Sequence, residues 1–185
     1  MPIEIEKKYR LTKKQREEVL RQLPLIGAQS KGEEFEENVL YAGEGIISGQ
    51  SVLRLRRAGP RATLTHKERF PTSSSIKHQQ EDETEVSDAA ATDAILQALG
   101  YEPTLVYEKR RSSWQLGEAE VVVDDLPFGF FMEIEANPEE ILRVEKLLGI
   151  RGLRAEMDTY PTLTMKHGKK KGQVVEARFD PAKHL

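Results

Sequence analysis

The chain has 185 residues, 38% of them hydrophobic and 32% charged, with a formal net charge of −3. That length suits one domain, or one domain with a tail, and can bury a sizeable core. The small net charge gives no general pull toward nucleic acid or an anionic membrane, and the lack of cysteine excludes disulfides, thiolate metal sites and cysteine nucleophiles.

The chain opens on Met1-Pro2-Ile3-Glu4, without the basic and apolar regions of a signal peptide, and no apolar run approaches a membrane span. A cytoplasmic protein with no membrane partner is expected. From Ile3 to Leu11 the residues alternate, with Ile3, Ile5 and Tyr9 on one face and Glu4, Glu6, Lys8 and Arg10 on the other. A period of two predicts a strand with one apolar face. Thr12-Lys13-Lys14-Gln15 reads as a capping box ahead of Val19, Leu20 and Leu23 at helical spacing, with Pro24 at or just past the helix end. Strands are predicted over Glu34–Tyr41, Ser51–Arg57 and Arg61–Arg69, separated by Gly-rich or Gly-Pro turns. Pro71–Gln80, with three consecutive serines, is the expected mobile loop.

Alternation resumes over Glu81–Val86, and Ser87–Leu99 is an alanine-rich helix closed by Gly100. Strands follow at Thr104–Trp114, Ala119–Asp125 and Gly129–Ala136. The best delimited helix comes next: Asn137 caps it, Pro138 takes the first turn, Glu140 completes the box and Gly149 ends it. A last strand is expected within Asp158–Met165, and Lys169-Lys170-Lys171 reads as part of a solvated basic tail over residues 166–185. Eight strands with helices in the connections predict an α+β fold. Its antiparallel sheet is large enough to close into a barrel with the helices packed outside.

Sorting each strand into two faces gathers its charges. Carboxylates fall in sets, Glu4/Glu6, Glu81/Glu83/Glu85, Glu133/Glu135 and Asp124, the last on one face with Glu120 and Val122. Cations do the same: Lys8, Arg54/Arg56, Lys67 (with Thr63 and Thr65), and Lys109/Arg111 beside Leu105 and Tyr107. Taken strand by strand, such faces read as the solvent side of a two-layer sheet. Taken together they read otherwise, because the helices must cover the apolar face and leave every charged face on the other side. If the sheet closes on that side, the charges line a tunnel. Crowded carboxylates call for a hard divalent ion, Mg²⁺ or Mn²⁺. Clustered Arg and Lys call for a polyanion, whose phosphate oxygens match the arginine fork.

The same residues resemble the CYTH superfamily of triphosphate tunnel metalloenzymes. Glu4-Ile5-Glu6-Lys7-Lys8 has its ExExK form, and Leu53-Arg54-Leu55-Arg56 is similar to its paired-arginine strand. Leu64-Thr65-His66-Lys67 is similar to its LTxK strand, Glu81-Asp82-Glu83-Thr84-Glu85 to its second ExE strand, and Lys109-Arg110-Arg111 to its KxR strand. Asp124 with Gly129-Phe130-Phe131-Met132-Glu133-Ile134-Glu135 resembles the aspartate and closing G-x-F-x-E-x-E, and Asp158-Thr159-Tyr160 the terminal element. The resemblance spans residues 3 to 165 and implies one domain over 1–165. It implies an eight-stranded antiparallel tunnel holding Mg²⁺ or Mn²⁺ and a small triphosphate, with Glu4, Glu6, Asp124, Glu133 and Glu135 serving the metal. Glu81, Glu83 or Glu85 would complete the acidic set, in a register left open. Lys8, Arg54, Arg56, Lys67, Lys109 and Arg111 would grip the phosphates. Glu4, Glu6, Lys8, Glu133 and Glu135 would carry the catalysis.

Three positions depart from the pattern: Gln79 stands where an arginine is usual, Glu68 where a glycine follows the LTxK lysine, and Asn38 at the aspartate of the early D-x-Y strand. His66, His78, His167 and His184 form no metal-ligand spacing, and Trp114 reads as core or tunnel rim. Hydrolysis of a triphosphate is the first expectation. Class IV adenylyl cyclisation of ATP is the second, and a non-catalytic polyphosphate or nucleotide module the third. Either monomer or homodimer is compatible with the chain.

Overall fold

The computed structural model describes residues 3–70, 77–180 and 182, and for residues 3, 4, 77 and 78 the backbone alone. Its first strand, β1 (Ile3–Leu11), leads into helix α1 (Lys13–Leu25), and both halves of the predicted capping box form between Thr12 and Gln15. Pro24 lies inside the last turn of α1 rather than beyond it; Leu25 is the final helical residue. Four strands follow: β2 (Gln29–Ala42), β3 (Ser51–Ala58), β4 (Arg61–Arg69) and β5 (Lys77–Val86). Residues 71–76 of the expected mobile loop lie outside the described residues, whereas Lys77 to Gln80 belong to β5. They do so because they pair with β1 and β4, contacts that local composition does not announce.

Helix α2 (Ala89–Ala98) is capped by the Asp88 side chain, which accepts from the Ala90 and Ala91 amides at 2.9 Å. The long β6 (Glu102–Leu116) then meets β7 (Ala119–Leu126) and β8 (Gly129–Glu135) in a meander. A two-residue loop joins β6 to β7, and Gly117 takes φ +61° there, which L side chains rarely adopt. Helix α3 (Pro138–Leu147) starts as predicted, with the Asn137 side chain accepting from the Glu140 amide at 3.0 Å.

The strand expected within Asp158–Met165 is instead helix α4 (Tyr160–His167). Thr159 caps it and Pro161 sits in its first turn, a helix start that outweighs the β-branched content of the segment. Its buried residues Tyr160, Leu163 and Thr164 have helical spacing. Lys169–Lys171 is a short strand, β9, paired with β10 (Val174–Ala177), so this part of the predicted tail adds to the sheet with its lysines exposed.

The strands run in the order β2-β3-β4-β5-β1-β8-β7-β6, and β6 pairs again with β2, so eight antiparallel strands close a ring. β6 is longer than its partner β7. Where β7 ends, Leu105 to Tyr107 take β10 as a parallel partner, which covers an otherwise open edge. The main apolar core lies outside the ring. There α1 and α3 lay Val19, Leu23, Ile141 and Val144 on the outward residues of β1, β7 and β8, among them Tyr9, Val121 and Ile134. Trp114, partly buried, packs against this cluster. Lys7, Tyr9 and Glu145 form a polar contact inside it: both the Lys7 ammonium and the Tyr9 hydroxyl donate to the Glu145 carboxylate. A smaller cluster of Tyr107, Phe131, Tyr160 and Leu163 closes the ring interior beside α4. No described helix is long and apolar enough to cross a membrane.

Candidate active site

Closure of the ring turns the charged strand faces inward. Lys8 and Lys109 are 3% and 2% exposed, a burial that lysines reach only when paired. Along each strand the lumen residues advance in steps of two. On β3 they are Val52, Arg54, Arg56 and Ala58; on β5, Gln79, Glu81, Glu83 and Glu85; on β6, Tyr107, Lys109, Arg111 and Ser113. A cavity of about 330 Å³ occupies the end roofed by Thr159, Tyr160 and Pro161 at the start of α4. A second, of about 250 Å³, lies toward the opposite end, and Arg56, Glu83, Arg111 and Glu120 line both.

Lys8, Arg54, Arg56, Lys67, Lys109 and Arg111, the predicted phosphate-binding set, all line the first cavity. Of the predicted carboxylates, Glu6, Glu81, Glu83, Glu133 and Glu135 line it as well. Glu4 belongs to β1, but its side chain lies outside the described residues. The open register of β5 is now set: Glu81 faces Lys67, Glu83 faces Thr65 and Glu85 faces Thr63. Glu85 therefore reaches only the second cavity.

Asp124 departs from its expected place. It is fully buried and lines neither cavity. Its two oxygens accept from Arg111 Nε at 2.8 Å and Nη2 at 2.6 Å, and the Tyr160 hydroxyl donates to it at 2.7 Å. Arginine two-pronged on a buried carboxylate is held in one orientation, so Asp124 aims Arg111 at the lumen. The reason is cover: Asp124 shares the lumen face of β7 with Glu120 and pairs in register with Arg111, but the Arg111 and Tyr160 side chains lie over it.

The charges hold one another ionised. Burial alone would lower the Lys8 pKa, yet Glu133, whose carboxylate lies 3.0 Å away, and Glu6 bring it above the ordinary lysine value. Burial would raise Glu133, but Lys8, Arg111 and Lys109 pull it well below the carboxylate range. For Lys109 burial wins: with Arg111 beside it, its pKa falls despite Asp124 at 3.6 Å and Glu36 at 3.3 Å. Lys8 also stands 3.9 Å from the centre of the Tyr160 ring, a cation–π contact in a desolvated setting.

Sequence reasoning passed over two lumen residues, Glu36 and Arg69, and gave no role to a third, Glu120, which it set on the face of Asp124. Glu36, 2% exposed, faces Lys109, Arg56 and Arg111. Arg69 continues the face of Lys67 and is the register partner of Gln79, so a cation does stand beside that departing position. Glu120 is the register partner of Glu135. The available signal was parity: Glu36 lies two residues from Asn38 and Arg69 two from Lys67. Asn38 is itself fully buried, and its amide nitrogen donates to Glu36 at 3.4 Å.

A divalent ion would meet all-oxygen donors here. Glu6 and Glu120 both pair in register with Glu135, so three carboxylates form a row across β1, β8 and β7 on the lumen wall. That chemistry fits Mg²⁺ or Mn²⁺. Among the described residues, however, no three acidic or imidazole groups already converge as a ready-made cage.

The sequence matches the CYTH domain family over residues 2–161, and the chain belongs to that family. No curated protein sequence matches it. Among solved structures, PH1012 of Pyrococcus horikoshii is 27% identical, covering 85% of this chain and 96% of its own with a TM-score of 0.74. PH1819 of the same organism is 23% identical, covering 88% and 98%, with a TM-score of 0.72. HpAC1 from Hippeastrum, for which a dominant triphosphatase activity is described, is 17% identical over 98% of this chain and all of its own, with a TM-score of 0.70. At such identities the last two likenesses speak for the fold.

Proposed function

We propose that this protein is a divalent-metal-dependent triphosphatase that removes the terminal phosphate from a small triphosphate held in the barrel. One observation carries the reading: six predicted cations and Arg69 converge on a single cavity of about 330 Å³. Side chains so placed suit a short, highly charged anion better than any neutral ligand. The activity described for HpAC1 supports the same class of reaction.

In this reading Arg54, Arg56, Arg69 and Arg111 grip phosphate oxygens in pairs, while Lys8, Lys67 and Lys109 act as point charges. Glu6, Glu120 and Glu135, with Glu133 alongside, would hold the metal, which would neutralise phosphate charge and lower the pKa of water. Water attacks the terminal phosphorus as the anhydride oxygen leaves, yielding orthophosphate and the shortened phosphate. Lys8 and Arg111 stabilise charge on the group in flight. Glu81 pairs with Lys67 and Arg54, Glu83 pairs with Arg54 and Arg56, and Asp124 keeps Arg111 aimed.

A second reading, cyclisation of ATP, draws on a separate feature. A less polar cavity of about 350 Å³, including Val52, Pro161 and Met165, adjoins the first one at Leu40 and Arg69. Such a space can hold an organic group. The test incubates purified protein and Mg²⁺ or Mn²⁺ with tripolyphosphate, ATP or thiamine triphosphate, with a chelator control. Metal-dependent orthophosphate release is expected, lost in Lys8→Met and Glu133→Gln while circular dichroism stays unchanged. Cyclic AMP with pyrophosphate would move the second reading to first place. Normal turnover in both variants would remove the lumen from the reaction.

A further inference from the structure

The two cavities differ in charge along the barrel axis, and Glu36 stands where they meet. Residues confined to the first include five cations, Lys8, Arg54, Lys67, Arg69 and Lys109, against four carboxylates, Glu6, Glu81, Glu133 and Glu135. Those confined to the second include three carboxylates, Glu34, Glu36 and Glu85, against one cation, Arg61, itself paired with Glu34, while Arg56 and Arg111 line both. An anionic chain seated in the first cavity and extending into the second therefore passes from a small excess of cations to an excess of carboxylates. Glu36 is 2% exposed and 3.3 Å from Lys109, with Arg56 and Arg111 each at 4.0 Å. It occupies the position that one more phosphate would need in order to engage these three cations. Arg56 is also tied to Glu83 at 3.0 Å, which narrows the passage further.

We propose that Glu36 is a specificity-determining end-stop, which makes the substrate a chain of three phosphates seated in the first cavity and excludes longer polyphosphates that would have to extend past Glu36 into the second. The inference rests on the triphosphate reading above and adds a length limit to it. The carboxylate repels an advancing phosphate directly, and by neutralising Lys109, Arg56 and Arg111 it weakens their pull beyond the third phosphate. A group that only balanced buried charge would affect every chain length alike. The ratio between lengths is therefore the readout that distinguishes a stop from a structural carboxylate.

The experiment measures kcat/KM and, by calorimetry, Kd for tripolyphosphate, tetrapolyphosphate and long-chain polyphosphate with Mg²⁺. It compares the wild type with Glu36→Gln, which keeps the shape and removes the charge, and with Glu36→Asp, which keeps the charge and draws it back by one methylene. The wild type is expected to favour tripolyphosphate by at least about tenfold, as one close like charge on an incoming anion predicts. Glu36→Gln should raise the tetra-to-tripolyphosphate ratio by a similar factor, with Glu36→Asp intermediate. Equal handling of all lengths by the wild type overturns the end-stop and leaves the triphosphate reading intact, even if Glu36→Gln fails to fold. An unchanged ratio in the folded variants does the same. Failure of the wild type to bind or cleave any of the three overturns the triphosphate reading and the end-stop with it.

Discussion

Replacing Asp124 by asparagine tests how the lumen cations are held. The substitution keeps the size of the side chain and an oxygen for the Tyr160 hydroxyl at 2.7 Å. It removes the charge that faces Arg111 at 2.6 and 2.8 Å, and Lys109 at 3.6 Å. Taking one partner from a buried ion pair costs about 3–5 kcal/mol, because the other charge remains buried. Arg111 still has Glu133 at 2.8 Å, so the lower end, about 3 kcal/mol, applies here. For a chain of this size each kcal/mol moves the melting temperature by about 2–4 °C, which gives a fall of roughly 6–12 °C. Freed from its two-pronged partner, Arg111 should also lose its aim, and tripolyphosphate turnover should drop at least about tenfold while the native circular dichroism persists. Differential scanning calorimetry and phosphate release on the same preparation read both effects. A variant melting within about 2 °C of the wild type with full activity would refute the argument that Asp124 orients Arg111.

Acid should unfold the protein through its lumen carboxylates. Burial would raise Glu36, but Lys109, Arg111 and Arg56 draw its pKa down to about 2, against about 4.3 in an unfolded chain. A folded pKa below the unfolded one means stability that is complete above about pH 4 and lost as pH falls toward about 2, on the order of 3 kcal/mol for this group. Glu133 acts in the same direction. Urea midpoints taken from pH 6 to pH 2.5 should fall less steeply in Glu36→Gln than in the wild type, and parallel curves would refute the assignment. At the periphery, Asn137→Ala removes the cap of α3 and should cost about 1 kcal/mol, lowering the melting temperature by about 2–4 °C with turnover unaltered. An unshifted transition would show that packing of Ile141 and Val144, rather than the cap, anchors this helix.

Much of the barrel was legible because side-chain parity is a local property. Ile5 and Tyr9 against Glu6 and Lys8, or Met132 and Ile134 against Glu133 and Glu135, separate core from lumen without reference to any other strand. Caps were equally local: Thr12 with Gln15, and Asn137 with Glu140, each satisfies backbone groups a few residues away. The Asp158–Met165 segment misled for a related reason. Its β-branched residues allow an extended reading, and the Thr159 cap together with the burial of Tyr160 and Leu163 beside Phe131 and Tyr107 selects the helix.

What the sequence by itself determined is which residues share a face, where the helices begin, and that the charged faces carry the chemistry of a family. What only the tertiary structure decided is which charges meet. Pairing of β6 with β2 closes the ring, and that contact joins residues up to 86 positions apart, such as Gln29 and Gln115. Register then brings Glu36 to Lys109, puts Arg69 beside Gln79, lines up Glu6, Glu135 and Glu120, and withdraws Asp124 behind Arg111. Parity repeats every two residues and cannot count how far along its neighbour a strand has slid. Long-range packing supplies that offset, and the electrostatics of the lumen depend on it.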